Sequence, residues 1–360
     1  MTGDEWPLQR LLTEVVGSGP KSAEDMTADQ AREACHRILS EDSDPTTLGA
    51  FLLANRWKRN TPTELAAFLD VMREESVTPI APSCPVVDCG ANYDGKERTA
   101  LLGVAAGLVS AAAGTNVVAH SGDRVPSKYG TTYKHVLDEL GVDTEVPPAT
   151  SAEMVEATGF GFYYQPAFNP GVDGLLARRE RMGVRTFFNT IETLANPANA
   201  AVHVASFYHL AFAKKLAETV DKSHTVCFDR LVAVQGLEGY DDLRPEHSTV
   251  VEWEDGVLHD RVIDSDAYGF ELTEEVLEVG DVASDSARLT EDVVAGRGER
   301  HWNEAVALNA GLRLYAGRAV HEFEEGINRA RDVIRRGDAA DKLTELRSFS
   351  ETQVPRTVEP

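Results

Sequence analysis

Residues 117–132, Val-Val-Ala-His-Ser-Gly-Asp-Arg-Val-Pro-Ser-Lys-Tyr-Gly-Thr-Thr, pass from a short apolar run into a small polar loop with two cations. A helical pattern then begins at about Tyr133. An apolar strand, a Gly/Ser/Thr loop and a helix start form an anion site in α/β proteins. The first backbone N–H groups of the helix have no intrahelical partner and carry partial positive charge. Arg124 and Lys128 add full charge and side-chain donors. The loop suits phosphate, although it has neither Walker spacing nor a GxGxxG pattern. The alternative is an ordinary strand-to-helix turn with two solvated cations.

Two further loops carry chemistry of the same kind. Residues 88–99, Asp-Cys-Gly-Ala-Asn-Tyr-Asp-Gly-Lys-Glu-Arg-Thr, follow an apolar pair and lead into an Ala/Leu/Gly-rich helix. Gly90, Gly95 and the Asn-Tyr-Asp-Gly turn permit positive φ and close approach of backbone to a ligand, and Lys96 is placed to neutralise a phosphate. Residues 232–242 again begin as a strand and end in the adjacent carboxylates Asp241 and Asp242. Such a pair suits Mg²⁺, with a substrate phosphate completing the shell. The alternative is a solvated acidic turn.

These loops need a frame. From Leu8 to about Glu75 the apolar spacing is helical. Thr27 and Asp29 are cap candidates for a second helix, Asp44-Pro45 opens a third and Thr61-Pro62 a fourth. Residues 77–85 hold three prolines and read as a stiff connector. Beyond it, short β-branched runs alternate with helices: Val86-Val87 then 101–113, Val117-Val118 then 133–140, 159–164 then 171–182, and 225–234. The last part returns to helix over 301–316, 319–336 and 339–349. The expected fold is α/β: a small helical domain over 1–76, a hinge at 77–85, an α/β domain over 86–350 with a central, mostly parallel sheet, and a flexible tail at 351–360. In such a sheet ligands gather at the carboxyl ends of the strands.

Composition bounds the class. The 360 residues include 59 Asp+Glu against 35 Lys+Arg, a net charge of −24, with 42% hydrophobic residues. The chain is globular, and the acidic, lysine-poor balance predicts a salt-adapted (halophilic) surface that repels polyanions. Cys35, Cys84, Cys89 and Cys227 are scattered, which predicts reduced structural thiols. With no basic-then-apolar leader at its start and no membrane-length run, the expectation is a cytoplasmic protein.

Two more blocks carry a resemblance: residues 160–170, Phe-Gly-Phe-Tyr-Tyr-Gln-Pro-Ala-Phe-Asn-Pro, and residues 177–197, with Arg-Arg-Glu-Arg-Met-Gly-Val-Arg-Thr at 178–186. With them the chain resembles the anthranilate phosphoribosyltransferase family, within glycosyltransferase family 3 and the pyrimidine nucleoside phosphorylase group. The likeness extends over nearly the whole length, including Asn309-Ala310-Gly311-Leu312 and Glu324-Glu325-Gly326. It implies that His120, Gly122, Asp123, Arg124, Ser127, Lys128 and Gly130 bind phosphoribosyl pyrophosphate (PRPP) and border the anthranilate pocket. It implies further that Asp241 and Asp242 hold the metal and that Arg179 contacts the anthranilate carboxylate. A homodimer through the helical domain is expected by the same likeness.

The departures are as informative. The family's Gly-rich pyrophosphate loop is Asp88-Cys89-Gly90-Ala91-Asn92-Tyr93-Asp94-Gly95 here, and the Ser-Thr pair further on is missing. The family's Leu-Gly-Pro-Leu run is Ile191-Glu192-Thr193-Leu194, and the lysine before the loop histidine is Ala119. These changes resemble the divergent second branch of the family, some of whose members bind nucleic acid; that branch usually loses the metal carboxylates, which this chain keeps.

The leading expectation is therefore a Mg²⁺-dependent phosphoribosyltransferase acting on anthranilate or a related aromatic acid, a step of tryptophan biosynthesis if the acceptor is anthranilate. Gly90, Asp94, Gly95, Lys96, Thr99, Ser127 and Lys128 are its expected phosphate-loop residues, Asp241 and Asp242 its metal ligands, and Arg179 with His120 its acceptor pocket. His120 is the candidate proton acceptor, against a purely structural hydrogen-bonding role. The alternative is a catalytically divergent member that binds single-stranded nucleic acid, which the net charge opposes. A third choice is nucleoside phosphorolysis.

Overall fold

The computed structural model describes residues 6–17, 19, 21–40, 43–124 and 128–353. Its amino-terminal part is helical, and the caps foreseen from the sequence form. Thr27 and Gln30 exchange backbone-to-side-chain hydrogen bonds of 3.2 and 2.9 Å ahead of the helix Ala28–Ser40, while Asp29 lies in its first turn. Asp44 accepts from the Thr47 amide at 2.9 Å to start Pro45–Lys58. Thr61 and Glu64 form a reciprocal capping box at Pro62–Glu75, with Pro62 in the first turn.

That last helix is buried on nearly every face, including Leu65, Phe68, Leu69 and Met72. Its neighbours come partly from much later in the chain. Phe68 stacks on Phe187 with ring centroids 4.0 Å apart, and Phe168, Phe188 and Leu216 join the same core. A helical layer of this size gains a sufficient core by recruiting residues beyond position 160.

The expected connector at 77–85 contains neither helix nor strand. It is nonetheless anchored: the Thr78 amide donates to Phe168 O at 2.8 Å and the Ile80 amide to Pro197 O at 2.9 Å. The Tyr163 hydroxyl donates to Ile80 O at 2.6 Å. Of the expected tail at 351–360, residues 351–353 continue the final helix Ala339–Gln353; the remainder lies outside the described residues.

The sheet has seven strands in the order β3-β2-β1-β4-β5-β6-β7. They are β1 Val86–Gly90, β2 Asn116–Ser121, β3 Phe160–Tyr164, β4 Val202–Phe207, β5 Arg230–Gln235, β6 His247–Glu254 and β7 Val257–Asp264. The first five pair in parallel and the last two antiparallel. Strand β1 is buried along its whole length, as a parallel strand covered on both faces must be. The chain moves from β1 to β2 and β3 on one side and returns to place β4 on the other. The reversal at β1 makes the crevice above β1 and β4 the topological switch point.

Three strands were not anticipated. In β4 the sequence Val-His-Val-Ala-Ser-Phe mixes polar and small residues, so its apolar run is broken even though four of its six residues are fully or almost fully enclosed. The β6–β7 hairpin carries a signal that reveals it: Asp255-Gly256, both at positive φ (50° and 76°), is a tight-turn dipeptide between two β-branched runs. The strand expected over 225–234 begins only at Arg230.

Behind the sheet the helices Arg300–Ala316 and Phe323–Arg336 cross at Gly311 and Gly326. A Cβ on Gly311 would lie 2.8 Å from the Ile327 amide nitrogen, and one on Gly326 would lie 2.7 Å from Gly311 O. The carboxy-terminal motif of the sequence is thus a close helix crossing. No helix among the described residues is long and apolar enough to cross a membrane.

Candidate active site

Two cavities open at the carboxyl ends of the parallel strands, one on each side of the loop that follows β1. The first, of about 320 Å³, lies towards β2 and β3 and is lined by Tyr93, Gly122, Asp123, Arg124, Gln165, Val172, Asp173, Leu176, Arg179 and Glu192. The second, of about 300 Å³, lies over the switch point, with Asn92, Ser206, Tyr208 and His209 from the β1 and β4 ends and Arg56, Arg185, Thr190 and Thr193 from the helical layer. Thus Gly122, Asp123, Arg124 and Arg179, expected on one site, do converge.

Arg179 sits on the helix Leu176–Met182 and is almost wholly buried. Its guanidinium is already engaged. Two hydrogen bonds of 3.0 Å run from its terminal nitrogens to the two oxygens of Glu192, which is equally buried on the turn Glu192–Leu194. This fork-to-fork pairing is the strongest geometry a carboxylate offers an arginine. The expectation that Arg179 waits for an acceptor carboxylate is therefore revised, because the chain supplies one. Arg124 is paired with Glu180 at 2.9 Å. Asp123 accepts from the Tyr164 hydroxyl at 2.5 Å and lies 3.1 Å from Lys134; burial opposes its ionisation, but these donors outweigh it and hold the carboxyl below the usual range.

His120 ends β2 with no exposed surface and does not line either cavity. Its Nδ1 is hydrogen-bonded to the Tyr93 hydroxyl, and Tyr93 does line the first cavity. On the other side His120 Nε2 is 3.4 Å from Asp88 Oδ2, which also accepts from His203 Nδ1 at 2.7 Å. Burial would raise the Asp88 pKa, yet the two imidazoles outweigh it and hold the carboxyl far below its ordinary value. Gly90 makes room for this row: a Cβ there would lie 2.0 Å from Thr193 O and 2.5 Å from His203 Cε1. As a proton acceptor His120 has access to a ligand only through Tyr93, whose own pKa burial drives well above 10.0, so that its hydroxyl keeps its proton.

The aspartate pair is fully enclosed. Asp242 accepts from Lys96 Nζ at 2.8 Å and the Leu102 amide at 3.1 Å. Asp241 accepts from the Tyr133 hydroxyl at 2.6 Å and from Arg313 at 2.9 Å. Lys96 also donates to Ala100 O at 2.6 Å. Burial raises the Asp241 pKa and Arg313 opposes it. One oxygen of each aspartate, Oδ1, has no hydrogen bond, which is the right chemistry for a hard cation. The surroundings are not. Two carboxylates face two buried protein cations, neither aspartate lines either of the two cavities above, and no group of three metal-ligating side chains clusters among the described residues. As arranged, the pair does not fit Mg²⁺, and Lys96 is not available to a phosphate. The first expectation came from residue type and from the family resemblance and the second from residue type, and the fold pairs these charges with each other.

The remaining loop residues act on the backbone. Gly95, at φ 75°, and Gly130 touch: a Cβ on either would approach the other's main chain to within 2.4–2.6 Å. The Lys96–Thr131 bridge locks the two loops beside them. The amides of Glu97, Arg98 and Thr99 and the Thr99 hydroxyl converge on Glu238 at 2.5–3.4 Å. An internal carboxylate thus occupies this small anion nest, and Thr99 serves it. Glu238 holds a left-handed φ of 55° to reach it. Asp94 pairs with Arg185 at 2.9 Å, and burial still raises its pKa. Lys128 is half exposed and 3.8 Å from Glu97. Ser127 lies outside the described residues.

Sequence reasoning did not single out the second cavity. Its arginines come from positions 56 and 185 and its hydroxyls from residues 186–193 and from Ser206 on an unforeseen strand, so no single local pattern marks it. Arg56, which donates to Arg185 O, and Arg185, which is paired with Asp94, bring two partly exposed guanidiniums beside the neutral donors of Asn92, Ser206 and Thr193.

The helical bundle domain of the glycosyl transferase family matches residues 11–76, and the α/β domain of that family matches residues 88–340. An anthranilate phosphoribosyltransferase of Thermoanaerobacter sp. (strain X514) is 31% identical over 346 residues, covering 95% of this chain and 98% of the relative. The crystal structure of anthranilate phosphoribosyltransferase from Thermus thermophilus superposes with a TM-score of 0.79 at 28% identity, over 91% of this chain and 97% of that one. The Saccharomyces cerevisiae anthranilate phosphoribosyltransferase in complex with PRPP and Mg shares the fold, with a TM-score of 0.80 at 18% identity over 96% of this chain and 98% of that one.

Proposed function

The chain belongs to the glycosyl transferase family that joins a helical bundle to an α/β domain, and from that premise we propose that it moves the phosphoribosyl group of PRPP to the amine of a small aromatic acceptor. Anthranilate is the acceptor for which its relatives are named. The observation that carries the reading is the pair of cavities flanking the β1 loop at the strand carboxyl ends, one rich in guanidinium and hydroxyl donors and one walled by Tyr93, Val172 and Leu176.

In this reading the donor's diphosphate lies in the second cavity against Arg56, Arg185, Asn92 and Ser206, with the loop of Gly122, Asp123, Arg124, Ser127, Lys128 and Gly130 across its sugar phosphate. Gly90, Gly95, Lys96, Asp94 and Thr99 shape those loops. The acceptor occupies the first cavity. The C1′–O bond breaks with its electron pair leaving on pyrophosphate, the amine lone pair forms C1′–N, and the amine then gives up one proton. An aromatic amine is nucleophilic when neutral, so the protein's contribution is mainly position and charge balance. Tyr93 faces the reacting nitrogen and His120 orients Tyr93, which makes His120 a positioning residue. Magnesium dependence is proposed from the yeast complex, while Asp241 and Asp242 serve as structural charges.

A homodimer through the helical layer belongs to the same proposal. On the helix Pro45–Lys58, Leu53 and Trp57 are one turn apart and 40% and 80% exposed, an apolar pair suited to a second copy. The deciding experiment for the activity is pyrophosphate release from PRPP with Mg²⁺ and a panel of aromatic amines that includes anthranilate. Release dependent on both protein and amine is the expected result, and none with any amine overturns the reading.

A further inference from the structure

The first cavity is lined by two arginines among the described residues; the exposed Arg124 makes one ion pair, whereas the buried Arg179 is engaged at both terminal nitrogens. Arg179 is gripped by Glu192 through two hydrogen bonds of 3.0 Å, with 3% and 2% of the respective side chains exposed. Arg124 is tied to Glu180. What remains uncommitted is of the opposite character. The Asp173 carboxyl, whose pKa burial raises with help from Asp123, and the Gln165 side-chain amide line the cavity with no side-chain hydrogen bond to the described residues. A ring carboxylate entering here meets carboxylates at Asp123, Asp173 and Glu192 and finds the one buried guanidinium, Arg179, already matched. A neutral ring with N–H donors meets acceptors instead.

We propose that Glu192 fills from within the chain the place that an acceptor's carboxylate would take on Arg179, so that this protein prefers aromatic amines bearing no acid group. The inference rests on the transfer reading above and narrows its acceptor. Anthranilate enters only by displacing Glu192, and a displaced carboxylate loses two charge-assisted bonds in an enclosed site. Glu192 is thus a specificity determinant: it touches the pocket without taking part in bond making. Specificity of this kind comes as much from refusing the wrong ligand as from holding the right one.

The test compares anthranilate with its neutral isostere 2-aminobenzamide on the full-length protein, by calorimetric binding and by pyrophosphate release with PRPP and Mg²⁺. The wild-type protein is expected to bind the amide at least tenfold more tightly than the acid. Glu192→Gln and Glu192→Gly are expected to shift that ratio at least tenfold towards the acid, since each frees the Arg179 guanidinium. A wild-type protein that binds the acid as well as the amide overturns the inference, as does an unchanged ratio in a folded variant. The wild-type ratio decides even if both variants fail to fold. Absent pyrophosphate release with an intact binding preference sinks the transfer reading and leaves the assignment of Glu192 standing; release with an acid preference does the reverse.

Discussion

Four charged side chains, Lys96, Asp241, Asp242 and Arg313, form a fully enclosed polar cluster, and their worth lies in being matched. Replacing Asp241 by Asn leaves the Arg313 guanidinium buried without its counter-charge, and breaking a buried pair in this way costs about 3–5 kcal/mol. Denaturant unfolding of Asp241→Asn is expected to show that loss in the midpoint at unchanged slope. Addition of Mg²⁺ without PRPP is expected to leave the melting temperature of the wild-type protein unmoved, since a ligand raises it only by binding the fold. Asp88 gives the corresponding pH dependence. Its folded pKa is depressed, so ionisation favours the fold: the contribution is complete above the ordinary carboxylate range, about 4, and is lost as pH falls through and below it. Melting followed from pH 7 down to 2 is expected to show a steep acid limb that flattens in Asp88→Asn.

Elements carried much of their own instruction. Asp44-Pro45 and Thr61-Pro62 announce helix starts because a cap needs only a side chain within three residues of an amide. Strand β4 announced nothing, because what makes His203 and Ser206 strand residues is that β1 and β5 lie on either side. The Gly311–Gly326 crossing was visible as a motif but not as a contact. Gly311→Ala sets a methyl against the Ile327 backbone, and such overpacking is expected to cost about 1–3 kcal/mol. Chemical denaturation checks this, and Ala at the exposed Gly141, whose Cβ would meet nothing but whose φ is 76°, separates crowding from backbone strain.

For the molecule as a whole, the net charge of −24 acts at long range, whereas the proposed dimer rests on the exposed apolar pair Leu53 and Trp57. Trp57→Glu on the outer face of the helical layer is expected to convert a dimer to a monomer, read by light scattering on a sizing column; a wild-type protein that elutes as a monomer removes the basis for the dimer. The two-part architecture and the parallel sheet were legible in the alternation of residue patterns. The extent of the helical layer was not, since residues 168–216 join its core from the other half of the chain.

Chain order alone determined where helices begin, that strands and helices alternate, and that three polar loops stand at strand ends, because capping, periodicity and turn chemistry act over a few neighbouring residues. Only the tertiary structure decided which charges remain free. Lys96 meets Asp242 across 146 positions, Arg313 meets Asp241 across 72, and Glu192 reaches Arg179 through a turn of the chain. An ionisable side chain in a low-dielectric interior seeks the nearest opposite charge in space, and nearness in space is what folding creates.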